Sequence, residues 1–359
     1  VSVWEGRRRQ RVDVHAVGEP LVSVAVSPDG NILATGGNNG SVYIWDIADD
    51  GELTIRMNLK HKKRVSQVYF SPTGDQLYTS SLEKIRIFDV AKGRLIKPSI
   101  KVNSAQYISS ISDNNKYQYL AVGSILHAIY EKTEHSNTLS IWHTGSRKRV
   151  EAFSNYSRSI NAVQFHPLLP ELLVAFDGGI DILDIEHREL IATLTASRNG
   201  ESTIVTPDGY FDNSIEGAGL IYLVNQDSNE IYSLNQYEAK LKRPDIIQAR
   251  LSGNRDVGKV QLRLSTPPVL SLTGIPVHNE NGSRISISVV GDSLVKNIKL
   301  YVNGSPRLIY NIGKKEEKII VEVPYTRGRA RIALYAFNKD GIASNPLFFD
   351  RRPKVIKKY

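Results

Sequence analysis

The sequence predicts an all-β chain: a β-propeller of about six blade-like units, its N-terminal blade incomplete, followed by an immunoglobulin-like β-sandwich. Two recurrences predict the propeller. The turn Ser27-Pro28-Asp29-Gly30 returns as Ser71-Pro72-Thr73-Gly74 and as Thr206-Pro207-Asp208-Gly209, with His166-Pro167 at the same place in a degenerate copy. The tripeptide Ile44-Trp45-Asp46 returns as Val3-Trp4-Glu5, Ile87-Phe88-Asp89, Ile141-Trp142-His143 and Ile182-Leu183-Asp184. Their central residues, Trp4, Trp45, Phe88, Trp142 and Leu183, stand 41, 43, 54 and 41 residues apart and include all three tryptophans. A third observation predicts the sandwich: residues 266–350 hold seven short strand-like segments.

Each propeller copy reads as four strands. In the clearest, residues 22–26 alternate, the Pro-Asp-Gly turn follows, and residues 32–35 return. Asn39-Gly40 then turns the chain into residues 41–45, and residues 53–59 supply the fourth strand. Proline presets φ and glycine accepts a positive one, so these residues punctuate hairpins. A four-stranded unit of this size cannot bury both faces alone, whereas radial stacking covers them. Val3-Trp4-Glu5 falls at the third strand of a blade, so the sequence starts in mid-blade.

On these residues, positions 1 to about 200 resemble WD repeats. His61 matches the histidine of that family's Gly-His pair, with Lys60 in place of the glycine. In the family this histidine usually bonds an aspartate in a tight turn, and Leu82-Glu83-Lys84 offers none there. The resemblance therefore implies an incomplete polar network within divergent blades.

Residues 206–237 read as the last blade, and Gln236–Leu251 as a helical strap interrupted at Pro244. The segments that follow are 269–272, 285–290, 298–302, 308–312, 319–323, 332–337 and 347–349, with Asn303-Gly304 and Asp340-Gly341 as hairpin turns. The expected boundaries are a propeller at 1–237, a strap at 238–265, a sandwich at 266–350 and a basic tail at 351–359. The runs at 206–212, 231–234 and 242–247, with Pro267-Pro268, resemble bacterial WD-repeat proteins that carry a caspase-like peptidase domain. That resemblance implies such a domain after Tyr359, and it transfers no catalytic residue to this chain.

Composition narrows the chemistry. The chain of 359 residues is 41% hydrophobic and 23% charged, which suits a packed globular protein rather than a disordered one. It has no cysteine, hence no disulfide, no thiolate metal site and no cysteine nucleophile. No leader or spanning run is evident, so a cytoplasmic location away from membranes is expected. Charge is uneven: residues 1–240 hold 24 Lys and Arg against 28 Asp and Glu, a net −4, and residues 241–359 hold 22 against 9, a net +13. A basic C-terminal part favours an acidic partner.

Candidate partner-binding residues fall in two places. The interval of 54 before Trp142 marks an insertion around residues 124–137, where His127, Glu131 and His135 would share one face of a helix. Nothing fixes a helix there, so the stretch reads as an inert excursion or a partner contact rather than a metal site. Arg327, Arg329 and Arg331 alternate along a strand and suit phosphates or carboxylates, while Tyr335 and Phe337, in the same parity, either offer stacking surface or pack inward. Residues 253–259 imitate a phosphate loop, but Val260 replaces the Ser or Thr that would hold magnesium, so they read as a turn. No cofactor or metal site is expected. The leading expectation is a non-catalytic recognition or regulatory region of a bacterial caspase-like protease system. The alternatives are a free-standing WD-repeat scaffold for a protein complex and a nucleic-acid-responsive module using the basic half.

Overall fold

The computed structural model describes residues 1–5, 10–14, 17–81, 84–102, 106–114, 116–126, 138–150, 153, 156, 158–224, 229–259, 264–279, 282–324 and 330–351. The chain divides into two compact units, residues 1–194 and 195–359.

In the first unit, β1 (Ser2–Glu5) and β2 (Gln10–Val14) form a two-stranded antiparallel sheet. Three four-stranded antiparallel sheets follow as blades, and the first four strands of a six-stranded sheet make a fourth. The first comprises β3 (Leu21–Val26), β4 (Ile32–Gly37), β5 (Ser41–Ile47) and β6 (Leu53–Lys60). The second comprises β7 (Gln67–Phe70), β8 (Gln76–Ser81), β9 (Lys84–Asp89) and β10 (Arg94–Lys101). The third comprises β11 (Gln106–Asn114), β12 (Tyr119–Leu126), β13 (Leu139–His143) and β14 (Arg149–Val150). The fourth comprises β15 (Ile160–Phe165), β16 (Glu171–Phe176), β17 (Gly179–Asp184) and β18 (Glu189–Ala196).

The repeat residues share one structural position. Trp45, Phe88, Trp142 and Leu183 each lie on the third strand, opposite Leu33, Leu77, Leu120 and Leu172 of the second. Trp4 lies on β1 opposite Arg11. The repeated turns share a mechanism as well. Gly30 and Gly74 adopt φ of +79° and +76°, and the hydroxyls of Ser27 and Ser71 accept the backbone N–H of Ile32 and Gln76 at 2.9 and 3.0 Å.

Apolar cores lie between blades, as sheet-on-sheet packing requires. Ala34, Val42 and Ile44 of one blade pack with Val68, Phe70 and Leu77 of the next. Equivalent clusters join the second blade to the third around Ile85, Ile111 and Leu120, and the third to the fourth around Ile141, Val163 and Leu172. The first strand of a blade has an open edge whose N–H groups need acceptors. The preceding blade supplies them: Ser23, Ser110 and Ser112 hydroxyls accept from Val68, Val163 and Phe165 at 2.9, 3.1 and 2.9 Å.

The second unit begins with two antiparallel pairings, β19 (Ser202–Val205) with β20 (Phe211–Asn213), and β21 (Tyr222–Val224) with β22 (Ile231–Ser233). This corrects the expected last blade: residues 206–237 do not add another four-stranded sheet among the described residues. A 3-10 turn (Leu234–Tyr237) leads into α1 (Glu238–Leu241) and α2 (Pro244–Leu251). Pro244 stands at the first turn of α2, where its missing N–H costs nothing. Arg250 of α2 grips Asp208 of the Pro-Asp-Gly turn at 2.6 and 2.5 Å and donates to Val257 O at 2.9 Å. The core of this module, including Phe211, Leu234 and Ile247, also takes in Ile342 from the far end of the unit. The expected boundary at 237/238 therefore falls inside the second unit.

The rest is antiparallel: β23 (Val269–Leu272), β24 (Val277–Asn279), β25 (Gly282–Val302), β26 (Ser305–Pro324), β27 (Ala330–Asn338) and β28 (Leu347–Arg351). Four expected strands merge in pairs, so seven separate strands is corrected to a long β25–β26 hairpin with shorter partners. Register shifts between Val290 and Asn297 bend this hairpin. Ile285, Ile287 and Val289 before the bend share one core with Ile298, Leu300 and Val302 after it. No helix residue belongs to that core, so the two halves cover each other as facing layers.

Candidate functional site

Among the described residues a concave site lies in the second unit, a cleft of about 770 Å³. Its floor is the outward face of β25, β27 and β28, carrying Lys299, Tyr301, Arg331, Tyr335, Phe337 and Phe348. Strand alternation explains the split: Leu300, Ile332, Leu334 and Ala336 point inward and are buried, while the odd-numbered neighbours stand above the sheet. One wall comes from the 3-10 turn and α1 through Asn235 and Glu238. Gln236 anchors that wall: its Nε2 donates to Ala343 O at 3.3 Å, and its carbonyl accepts the Ala343 N–H at 2.7 Å.

The electrostatics are asymmetric. Lys299 Nζ sits 4.5 Å from the Phe337 ring centroid, and the Arg331 guanidinium 4.4 Å from that of Phe348. Cations over ring faces are held by the ring quadrupole rather than by a carboxylate. Lys299 makes no ion pair among the described residues, and Arg331 stands opposite Asp350 in register. Glu238, by contrast, is paired with Lys242 at 2.9 Å. The Tyr301 and Tyr335 rings meet edge to face at 5.5 Å, and Tyr335 lies 6.5 Å from Phe337. Burial, with Tyr301 nearby, raises the Tyr335 hydroxyl above its ordinary value, so it remains a donor at neutral pH.

Of the six sequence-derived site residues, Arg331 lines this cleft. Arg327 and Arg329 lie outside the described residues, as do His127, Glu131 and His135 of the insertion. Sequence reasoning missed Lys299, Tyr301 and Phe348. Lys299 and Tyr301 share the odd parity of their strand, but only pairing with β27 places them beside Tyr335. The phosphate-loop imitation follows helix α2 instead of a strand, the reverse of the order such a loop needs.

In the first unit the polar residues serve the blades. Trp45 Nε1 donates to Thr35 Oγ1 at 3.0 Å, and His61 Nε2 lies 2.6 Å from Thr79 Oγ1. Burial, with the Arg86 charge adding to it, lowers the His61 imidazole to about 4 and keeps it neutral.

Residues 7–46 and 54–89 match the family described as WD domain, G-beta repeat. The chain carries WD repeats. Each matched WD repeat runs from the last strand of one sheet to the third strand of the next, so a sequence repeat straddles two blades. Among curated proteins the WD-repeat chain is similar to the periodic tryptophan protein 2 homolog of Dictyostelium discoideum, 26% identical over 198 residues. That match covers 51% of this chain and 20% of the relative. It is also similar to small ribosomal subunit protein RACK1z of Oryza sativa subsp. japonica, 31% identical over 123 residues, covering 33% of this chain and 35% of the relative. The chain thus spans a fifth to about a third of these relatives' lengths. Among solved structures, "Structure of U3-55K" superposes with a TM-score of 0.42 at 12% identity, covering 54% of this chain and 63% of the other.

Proposed function

We propose that this WD-repeat chain is a non-catalytic scaffold that holds protein partners on its blades. The observation that carries the reading is a rigid frame with one lengthened repeat. Neighbouring blades share apolar cores and serine-to-backbone bonds, while the interval before Trp142 is 54 residues against 41 to 43 elsewhere. A stiff platform with one lengthened repeat suits recognition. The narrower reading, a recognition region for a bacterial caspase-like peptidase, rests on the runs at 206–212 and 242–247. The matched relatives, a small ribosomal subunit protein and a periodic tryptophan protein 2 homolog, favour the free-standing scaffold. A cytoplasmic setting and an immunoglobulin-like class for the two facing layers belong to the same proposal.

The test starts from partners captured by the full chain and repeats each interaction with purified components. Replacing residues 127–136 by a short Gly-Ser turn should weaken a direct partner about tenfold or more in calorimetry while leaving the melting temperature unchanged. Direct partners whose affinity ignores that replacement, and ignores substitutions elsewhere on the blades, would overturn the scaffold reading.

A further inference from the structure

The geometry points to a second binding function in the cleft of the C-terminal unit: it takes one or two nucleotides of single-stranded nucleic acid. Three features set this chemistry. First, four aromatic rings, Tyr301, Tyr335, Phe337 and Phe348, stand on one sheet face around a cleft of about 770 Å³. Such a platform offers stacking surface to any planar base. Second, Lys299 and Arg331 lie over two of those rings, so phosphates beside stacked bases would meet cations at ring level. The acid of the wall, Glu238, is already matched by Lys242, and residues 241–359 carry a net +13.

Third, the central strands of the platform are closed to capture of a peptide as an added strand. Over the cleft, β25 pairs with β26 and β27, and β27 pairs with β25 and β28. The N–H and C=O groups of β25 and β27 are therefore spent on the ladder, and an extended peptide could add itself as a strand only along the outer edge of β28. Recognition on the ring-bearing face runs through side chains, which suits flat bases better than a peptide backbone. A duplex keeps its bases stacked inside and cannot present them to the rings, which selects the single strand.

The experiment is fluorescence anisotropy of the full chain with labelled hexauridylate across a salt series. Two phosphate contacts should weaken binding about sevenfold between 50 and 200 mM salt. The pair Tyr335→Leu and Phe337→Leu should cost about tenfold or more and leave the salt slope intact. The pair Lys299→Gln and Arg331→Gln should flatten the slope. Near-ultraviolet circular dichroism and melting temperature establish that each variant is folded, and single substitutions replace any pair that is not. No hexauridylate binding, equal binding of a duplex, or binding indifferent to both pairs would overturn the proposal. So would preferential binding of a Glu- and Phe-rich peptide, which would make the cleft a protein site. Failure here leaves the scaffold reading untouched, because that reading rests on the blades of the other unit.

Discussion

Thr35, Thr79, Val122 and Val174 occupy one position, two residues beyond the leucine that faces the repeat residue. The first blade uses its threonine for Trp45, and the second for His61, since Phe88 has no donor to offer. The third has valine, and Trp142 Nε1 is buried without a hydrogen-bond partner. Val122→Thr should supply the missing acceptor and raise stability by about 1 kcal/mol, read as a higher denaturant midpoint. No gain would mean that burying the new hydroxyl offsets the bond. Two titrations oppose each other at this scale. His61 is held at about 4, below the 6.5 of an exposed imidazole, so the unfolded chain takes up its proton first. Its share of stability is complete above about 6.5 and is lost as pH falls toward 4, by at most about 1.4 kcal/mol per pH unit. His61→Gln should flatten that slope in urea titrations at a series of pH values. Asp113 is raised to about 6 by burial, which outweighs its hydrogen bond from Tyr78 at 3.0 Å, and its Oδ1 has no partner. It favours the fold below pH 4 and withdraws that favour as pH rises through 6. Asp113→Asn should therefore stabilise at pH 8, by on the order of 2 kcal/mol, and do little at pH 4. Equal effects at both pH values would refute burial as the cause.

Between elements, close approach and charge pairing decide more than propensity. A Cβ at Gly123 of β12 would stand 2.6 Å from Ile160 Cγ2 of the next blade, and one at Gly36 of β4 would stand 2.7 Å from Val65 Cγ1. Both follow the second-strand leucine by three residues, so the second strand stays small where the next blade leans in. Gly123→Val should cost about 1–3 kcal/mol through overpacking, measurable by denaturant unfolding. In the other unit, burial alone would raise the Asp208 carboxyl, but hydrogen bonds from Arg250 hold it below its ordinary value. Arg250 is 4% exposed. Arg250→Ala strands a partly buried carboxylate and should cost about 3 kcal/mol or more. Arg250→Lys should recover only part of this, because an ammonium cannot hold both oxygens in a planar fork.

The division of the whole chain into two compact units predicts its thermal behaviour. Calorimetry should resolve two transitions, with Arg250→Ala lowering one and Gly123→Val the other. A single transition lowered by both would show that the units unfold together. Charge divides in the same direction, with residues 1–240 at −4 and 241–359 at +13. Added salt should accordingly affect association through the C-terminal unit more than through the blades.

The blade order was legible because each blade is closed by local hairpins whose turns demand Pro, Gly, Asn and Ser at set offsets. The strand parity of Arg331, Tyr335 and Phe337 was legible for the same reason. The junction was misread where long-range packing intervened: Thr206-Pro207-Asp208-Gly209 is a blade turn by composition, yet Arg250, 42 residues on, draws it into a helical module. The cleft was half visible, since parity marks a face but not its neighbours.

Sequence alone determined the period of the blades, the third-strand position of the repeat residues, the hairpin turns and the absence of thiol chemistry. These follow from local sterics and composition, which need no knowledge of distant contacts. Tertiary structure decided the rest: the continuation of four strands as one bent hairpin, and the capture of Ile342 by the junction core. It also set Lys299 and Tyr301 beside Tyr335 and Phe337. Those outcomes depend on which apolar face covers which, a non-local choice made when the whole chain buries its surface.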